Sequence, residues 1–158
     1  MDLALPQHAR VVIVGTGFSG LGTAIRLARA GQRDFVVLER AGDVGGTWRD
    51  NTYPGAACDV PSRLYSFSFR LNPDWTRSYS TQPEILAYLR TCAREAGVLP
   101  HIRFDAELLD AAWDEDERIW RITTARGALT ANFLVLGTGA LVEPARPDIP
   151  GLDDFTGT

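Results

Sequence analysis

Long apolar runs are missing from this chain. Stretches such as Val11-Val12-Ile13-Val14 and Phe133-Leu134-Val135-Leu136 fall far short of the ~20 residues a membrane-spanning helix needs. No membrane span is expected. The first ten residues hold no basic stretch followed by an apolar one, so no secretory signal is expected either. Cysteine is scarce: Cys58 and Cys92 form no C-x-x-C pair and stand near no histidine at ligand spacing, which excludes the usual metal frameworks. A reducing, cytoplasmic location fits such usage. Positive charge is also short. The net charge is −4 and no basic stripe stands out, which argues against a nucleic-acid partner. Lysine is absent altogether; every basic side chain is arginine, which reads as coding bias and not as function. His8 and His101 lie outside every motif and are read as surface residues.

What is present suits one soluble globular domain. The 158 residues are 45% hydrophobic and 23% charged, with 15 Gly and 9 Pro. That supports one core but not two full nucleotide-binding domains.

The first unit reads strand, turn, helix, strand. The apolar run 11–14 ends at Gly15 and suits a parallel strand buried on both faces. Leu21, Ile25, Leu27 and Ala28 follow at helical spacing, with Gly31 as the closing residue. Phe35-Val36-Val37-Leu38 is a second buried strand, ending at Glu39. Residues 40–72 show no clean period, but Trp48, Tyr53, Tyr65, Phe67 and Phe69 argue against disorder. Thr81-Gln82-Pro83-Glu84 has the form of a capping box and predicts a helix that ends at Gly97. Residues 102–104, 108–113, 119–123 and a segment from Leu129 read as an antiparallel meander. The run 133–136 is a third buried strand, entering Gly137-Thr138-Gly139. Prolines 144, 147 and 150 then mark a linker from Glu143 on. The pattern predicts an α/β fold: three neighbouring parallel strands (11–14, 35–38 and 133–136), with the meander 108–130 apart from that sheet on one of its faces.

Gly15-Thr16-Gly17-Phe18-Ser19-Gly20 carries the first chemistry. A lone G-x-G-x-x-G is weak. This one follows a buried strand, opens a helix, and has an acid, Glu39, 19 residues beyond its last glycine. That is the context of a Rossmann-like dinucleotide site. Gly15 allows the tight turn, Gly17 lets backbone approach a pyrophosphate, and Gly20 lets helix and strand pack. Free N–H groups and the helix dipole favour the anion. Glu39 can accept both hydroxyls of an adenosine ribose and would repel a 2′-phosphate, which disfavours NADP here. Gly45-Gly46-Thr47-Trp48 then offers a second close backbone approach. A longer ligand such as FAD has a use for it; a simple NAD site does not.

From Gly45-Gly46-Thr47-Trp48 through Tyr53-Pro54-Gly55-Ala56-Ala57-Cys58-Asp59, the chain resembles Baeyer–Villiger monooxygenases and close class B flavoprotein monooxygenases. Residues 61–69 and Gln82-Pro83-Glu84-Ile85-Leu86 resemble the same family, so the likeness covers nearly all of the chain from Val11 on. The resemblance implies FAD and NADPH as cofactors. It implies a C4a-peroxyflavin, formed with O2, that inserts oxygen into a small-molecule ketone. By the same resemblance, Gly15, Gly17, Ser19 and Gly20 hold the pyrophosphate and Glu39 the ribose. Gly46, Thr47 and Trp48 line the flavin side, Tyr65 touches the cofactor, and Leu108 offers its backbone to the adenine edge. Asp59 is the acid near the flavin ring that orients an arginine from elsewhere. Ala57 and Cys58 lie close to the nicotinamide cofactor, Cys58 as a small buried residue.

The family's next signature has the form F-x-G-x-x-x-H-x-x-x-W-P. This chain supplies Phe155-Thr156-Gly157-Thr158. The second glycine motif, for NADPH, is not in the sequence. The expectation is therefore a piece of a longer monooxygenase. Residues 1–142 would be the first segment of its FAD-binding domain and 143–158 a linker toward an NADPH-binding domain. The piece alone should be inactive. N- or S-oxygenation, a disulfide-reductase-like flavoprotein and a non-catalytic dinucleotide-binding module are the other readings. The second of these normally carries a C-x-x-x-x-C, which Cys58 and Cys92 do not provide. Substrate identity and oligomeric state are not encoded in any motif present.

Overall fold

The computed structural model describes residues 3–140, 142 and 144–157. The start of the expected linker at Glu143 and the terminal Thr158 lie outside them. Six strands form one sheet in the order β3-β2-β1-β6-β5-β4. They are β1 (His8–Val14), β2 (Phe35–Leu38), β3 (Ile102–Arg103), β4 (Leu108–Asp114), β5 (Ile119–Thr124) and β6 (Gly127–Leu136). The helices are α1 (Phe18–Arg29), the single turn α2 (Thr47–Asp50) and α3 (Gln82–Glu95). None is long and apolar enough to cross a membrane.

The three expected parallel strands are neighbours. Val11 is in register with Phe35 on one side and Phe133 on the other. Two expectations need correction. First, residues 102–103 do not join the meander; they pair in parallel with β2 as β3. Second, the meander is not apart from the sheet. β6 is ten residues long. Positions 127–131 pair antiparallel with β5, while positions 130, 131 and 133–136 pair in parallel with β1 on the other side. One strand thus joins the parallel and antiparallel parts of a single sheet, and residues of the meander pack over one face. Ala106, Ile122 and Leu129 pack there against Val12, Val14, Val36 and Leu38. The opposite face carries α1 and α3, with Ile13, Leu21, Ile25, Val37 and Leu89 in one cluster.

The run 133–136 is not doubly buried. Phe133 is 55% exposed and Leu136 61%, because β5 leaves β6 after Ala131. His101 is not a plain surface residue either. Its ring stacks on Phe35 at a 4.1 Å centroid distance, and Nδ1 lies 3.1 Å from the Phe35 carbonyl oxygen. Helix α1 closes as read: Gly31, at φ +81°, donates to the Ala28 carbonyl, and Gln32 donates to that of Leu27, the pattern of a left-handed C-terminal cap. The capping box at α3 does not form. Thr81 makes no side-chain cap bond, and Glu84 instead accepts the Thr76 N–H at 2.8 Å.

Candidate functional site

Three glycines interlock at the head of the sheet. A Cβ on Gly20 would stand 1.8 Å from the Gly15 carbonyl oxygen, and one on Gly15 would stand 2.6 Å from that of Gly137. A Cβ on Gly137 would meet the Gly20 nitrogen at 2.8 Å. Contacts this short leave room for hydrogen only. The end of β1, the start of α1 and the end of β6 are thereby locked together. Gly15 and Gly20 are packing residues first. Gly137 completes the set, a role the local motif did not reveal.

Gly17 behaves differently. The nearest atom to its would-be Cβ is the Gly46 Cα, at 3.9 Å. Gly17 caps α1 without a side-chain bond, and the first turn holds no acid. The N-terminal N–H groups of the helix, which lack intrahelical acceptors, are left for an incoming anion. Ser19 is exposed beside them.

The second glycine pair closes over this turn. Gly45 donates to the Thr16 carbonyl at 3.0 Å. Gly46 sits at φ +51°, with its would-be Cβ 3.1 Å from the Gly17 Cα. The two expected approach points are therefore side by side. α2 follows at once, with Thr47 exposed and Trp48 half-buried. Trp48 is held at both ends. Its Nε1 donates to the Tyr65 hydroxyl at 2.9 Å, and its carbonyl accepts from Gln82 Nε2. Tyr65 meets Phe18 edge-on at 4.9 Å and Trp48 at 5.6 Å. Burial pushes the Tyr65 phenol above its ordinary range, and the negative charge of Asp59 adds to the push.

Glu39 is 3% exposed and heavily bonded. One carboxylate oxygen accepts the Thr16 N–H at 3.0 Å and the Thr16 hydroxyl. The other accepts the Ala41 N–H at 3.0 Å and Arg49 Nη1 at 2.8 Å. Arg49 also donates from Nη1 to the Asp43 carbonyl and makes a two-pronged bond to Asp50, Nε to Oδ1 at 2.7 Å and Nη2 to Oδ2 at 2.9 Å. Its guanidinium is held above its ordinary pKa: burial lowers it, but the bond to Asp50 and the charge of Glu39 outweigh that. The Glu39 carbonyl accepts the Ala106 N–H at 2.9 Å, which brings half-buried Leu108, at the start of β4, to the same corner.

Asp59 and its neighbours lie on a strap pinned along the approach to α3. Ala57 bridges Thr81, and Cys58 donates its N–H to the Ser80 carbonyl at 2.9 Å. Ser62 anchors the strap further on through Ser80 and the Arg77 carbonyl. Cys58 is buried, while Ala57 and Asp59 face outward. Asp59 makes no hydrogen bond or ion pair among the described residues. Thr16, Arg49, Gln82 and Gly137 were not among the expected site residues. Thr16 lay inside the glycine motif and Gln82 inside both the expected capping box and the family-like segment, while nothing in the sequence singled out Arg49.

A model of the NAD(P)-binding Rossmann-like domain matches residues 13–81. The chain is similar to a Baeyer–Villiger monooxygenase of Streptomyces coelicolor, 59% identical over 151 residues. The match covers 96% of this chain and 29% of that protein. A Baeyer–Villiger monooxygenase of Pseudomonas aeruginosa is 48% identical over 155 residues, 98% of this chain and 29% of that one. Among solved structures, an oxidised steroid monooxygenase bound to NADP superposes with a TM-score of 0.83 at 41% identity, over 95% of this chain and 30% of its own. The OTEMO complex with FAD and NADP gives a TM-score of 0.84 at 32% identity, over 94% and 29%. The chain thus spans under a third of the length of these relatives.

Proposed function

We propose, from the premise that this chain belongs to the class B flavoprotein monooxygenases of Baeyer–Villiger type, that it binds FAD and serves an NADPH- and O2-dependent oxygenation of a small-molecule ketone. The observation that carries this reading is the apposition of Gly17 and Gly46 beside an uncapped helix N-terminus. A single glycine turn cradles one pyrophosphate. A second one packed beside it continues the side-chain-free backbone toward Trp48 and Tyr65, which suits a ligand that runs on past the pyrophosphate. The residues present therefore fit FAD. When bound, FAD supplies the redox chemistry that activates oxygen.

The chain's own residues bind and orient. Gly17, Ser19 and the first turn of α1 take the pyrophosphate. Glu39 takes the ribose and Leu108 the adenine edge. Gly46, Thr47 and Trp48 border the flavin, and Tyr65 fixes the Trp48 ring through its indole N–H. Ala57 and Cys58 border the nicotinamide. Asp59 faces outward, where it would hold a cation that stabilises developing negative charge at the flavin. We assign residues 1–142 to the FAD-binding unit and 143–158 to a connection toward an NADPH-binding unit, supported by the prolines at 144, 147 and 150. A cytoplasmic location is supported by two buried free cysteines.

Titration of the purified chain with FAD, FMN and NADP tests the reading. FAD should bind, with quenched flavin fluorescence. FMN, which lacks the adenosine, and NADP, which carries a 2′-phosphate, should bind at least tenfold more weakly. Equal affinity for FMN would sink the assignment of Glu39 and Leu108 to the adenosine end.

A further inference from the structure

We infer that Arg49 is a displaceable internal occupant of the ribose-recognition carboxylate, so that dinucleotide binding at Glu39 competes with the Glu39–Arg49 ion pair. The inference rests on the FAD-site reading above. A carboxylate offers about four acceptor positions. In this structure all four are taken: Thr16 N–H and hydroxyl on one oxygen, Ala41 N–H and Arg49 Nη1 on the other. The Glu39 side chain is 4% exposed. No position is left for a ribose hydroxyl until one donor withdraws.

The donors differ in how easily they can leave. Thr16 N–H sits at the end of β1, where Gly15 donates to the Leu38 carbonyl at 2.8 Å and Gly45 donates to the Thr16 carbonyl. Ala41 N–H lies three residues past the end of β2, in the turn that Glu39 itself opens. Neither can swing away without breaking the turn. Arg49 reaches both Glu39 and the Asp43 carbonyl through Nη1 at the end of a long side chain, and it has a second anion to fall back on. Asp50 grips Nε and Nη2 in a two-pronged bond and is 42% exposed. Arg49 can therefore give up Glu39 and remain paired with Asp50, without leaving a buried charge unmatched. Among the described residues the Thr16 hydroxyl donates to Glu39 alone.

The competition has a defined consequence. A ligand's apparent affinity falls by the fraction of time its site is in the competent state. If the pair leaves Glu39 free about a tenth of the time, apparent affinity is about tenfold below that of an unobstructed carboxylate. Arg49 also sits on α2, next to Trp48, so its release at the adenosine end reports directly to the segment that borders the flavin.

The test compares wild-type chain, Arg49→Gln, Arg49→Lys, Glu39→Gln and the Arg49→Gln/Glu39→Gln pair, each titrated calorimetrically with ADP and with FAD. ADP carries only the adenosine half. Arg49→Gln should tighten ADP and FAD alike, by about tenfold, and the gain should vanish in the Glu39→Gln background. Arg49→Lys, which keeps the charge, should gain less than Arg49→Gln. Two readouts besides affinity accompany this. The 15N–1H resonance of Arg49 Nε in the wild type should shift on adding ADP, and the thermal midpoint of the unliganded chain should fall in Arg49→Gln. Weaker ADP and FAD binding by Arg49→Gln would overturn the inference, because Arg49 would then position Glu39. Weaker FAD binding with unchanged ADP binding would also overturn it, because Arg49 would then only support α2. Should Arg49→Gln fail to fold, Arg49→Lys and the Arg49 resonance still decide: an unmoved resonance with ADP bound overturns the inference. Wild-type chain that binds neither ADP nor FAD would instead bring down the FAD-site reading, and this inference with it.

Discussion

Gly46 packs directly against Gly17 beside the candidate dinucleotide site, close enough that a Cβ on Gly46 would stand 3.1 Å from the Gly17 Cα. The reverse substitution meets its nearest atom only at 3.9 Å. This asymmetry separates folding from binding. Gly17→Ala should fold with a melting temperature near wild type and yet bind FAD at least tenfold more weakly, since its methyl would enter the pyrophosphate approach. Gly20→Ala should not fold stably, because its Cβ would lie 1.8 Å from the Gly15 carbonyl oxygen. Circular-dichroism melts beside FAD titrations check both. A flavin-saturated, wild-type-like Gly17→Ala chain would remove Gly17 from the site.

Gln82 holds Trp48 from the far side. Its Nε2 donates to the Trp48 carbonyl while its own N–H donates to that of Ala56. Gln82→Ala should lower stability by about 1–2 kcal/mol, the range for a lost buried hydrogen bond with an acceptor left unpaired. It should also loosen α2 and weaken FAD more than ADP. Trp48 emission should shift as its environment opens. Full FAD affinity together with unaltered emission would show that Gln82 has no part in positioning.

Glu39 ties three segments together, through Thr16, Ala41 and Arg49. Glu39→Ala leaves Arg49 largely buried with one of its two anions gone. Breaking a buried pair on one side costs on the order of 3 kcal/mol, less here because Asp50 remains. Urea unfolding should show a clear loss of stability even without ligand. A loss confined to FAD binding, with unchanged urea stability, would contradict the keystone role.

Asp59 faces outward, without a hydrogen bond or ion pair among the described residues. Asp59→Ala should therefore leave the stability and FAD content of the chain unchanged. In a complete enzyme of this family it should cut oxygenation on the order of 10²-fold, as loss of one preorganised electrostatic contact does. Flavin content and product formation measured side by side distinguish this from a turn-capping role, in which flavin and stability would fall together.

The outer half of β6 shows Phe133 and Leu136 at 55% and 61% exposure, on a strand whose β5 side is unpaired there. Exposed apolar strand edges promote association. The isolated chain should self-associate, and Phe133→Ser with Leu136→Ser should reduce light scattering without lowering the melting temperature. Scattering that is unchanged in the double variant would place the sticky surface elsewhere.

The sequence alone marked most of the elements and pointed to a dinucleotide ligand. Gly15 to Gly20 between an apolar run and a helical pattern, with Glu39 at ribose distance, needs only local chemistry: a turn, a helix N-terminus and an acid at the end of a strand. Gly45 to Trp48 and the segment through Asp59 marked the family. Tertiary structure decided what those residues touch. That β6 joins the parallel and antiparallel parts of one sheet depends on which strands flank it, which no local pattern encodes. That 133–136 lies half open depends on what is beside it, not on its own apolar character. The interlock of Gly15, Gly20 and Gly137 and the grip of Arg49 on Glu39 join residues that are distant or unremarkable in sequence. A carboxylate's type can be read from one position. Whether its lone pairs are free depends on every donor the fold brings within 3 Å, and only the packed chain answers that.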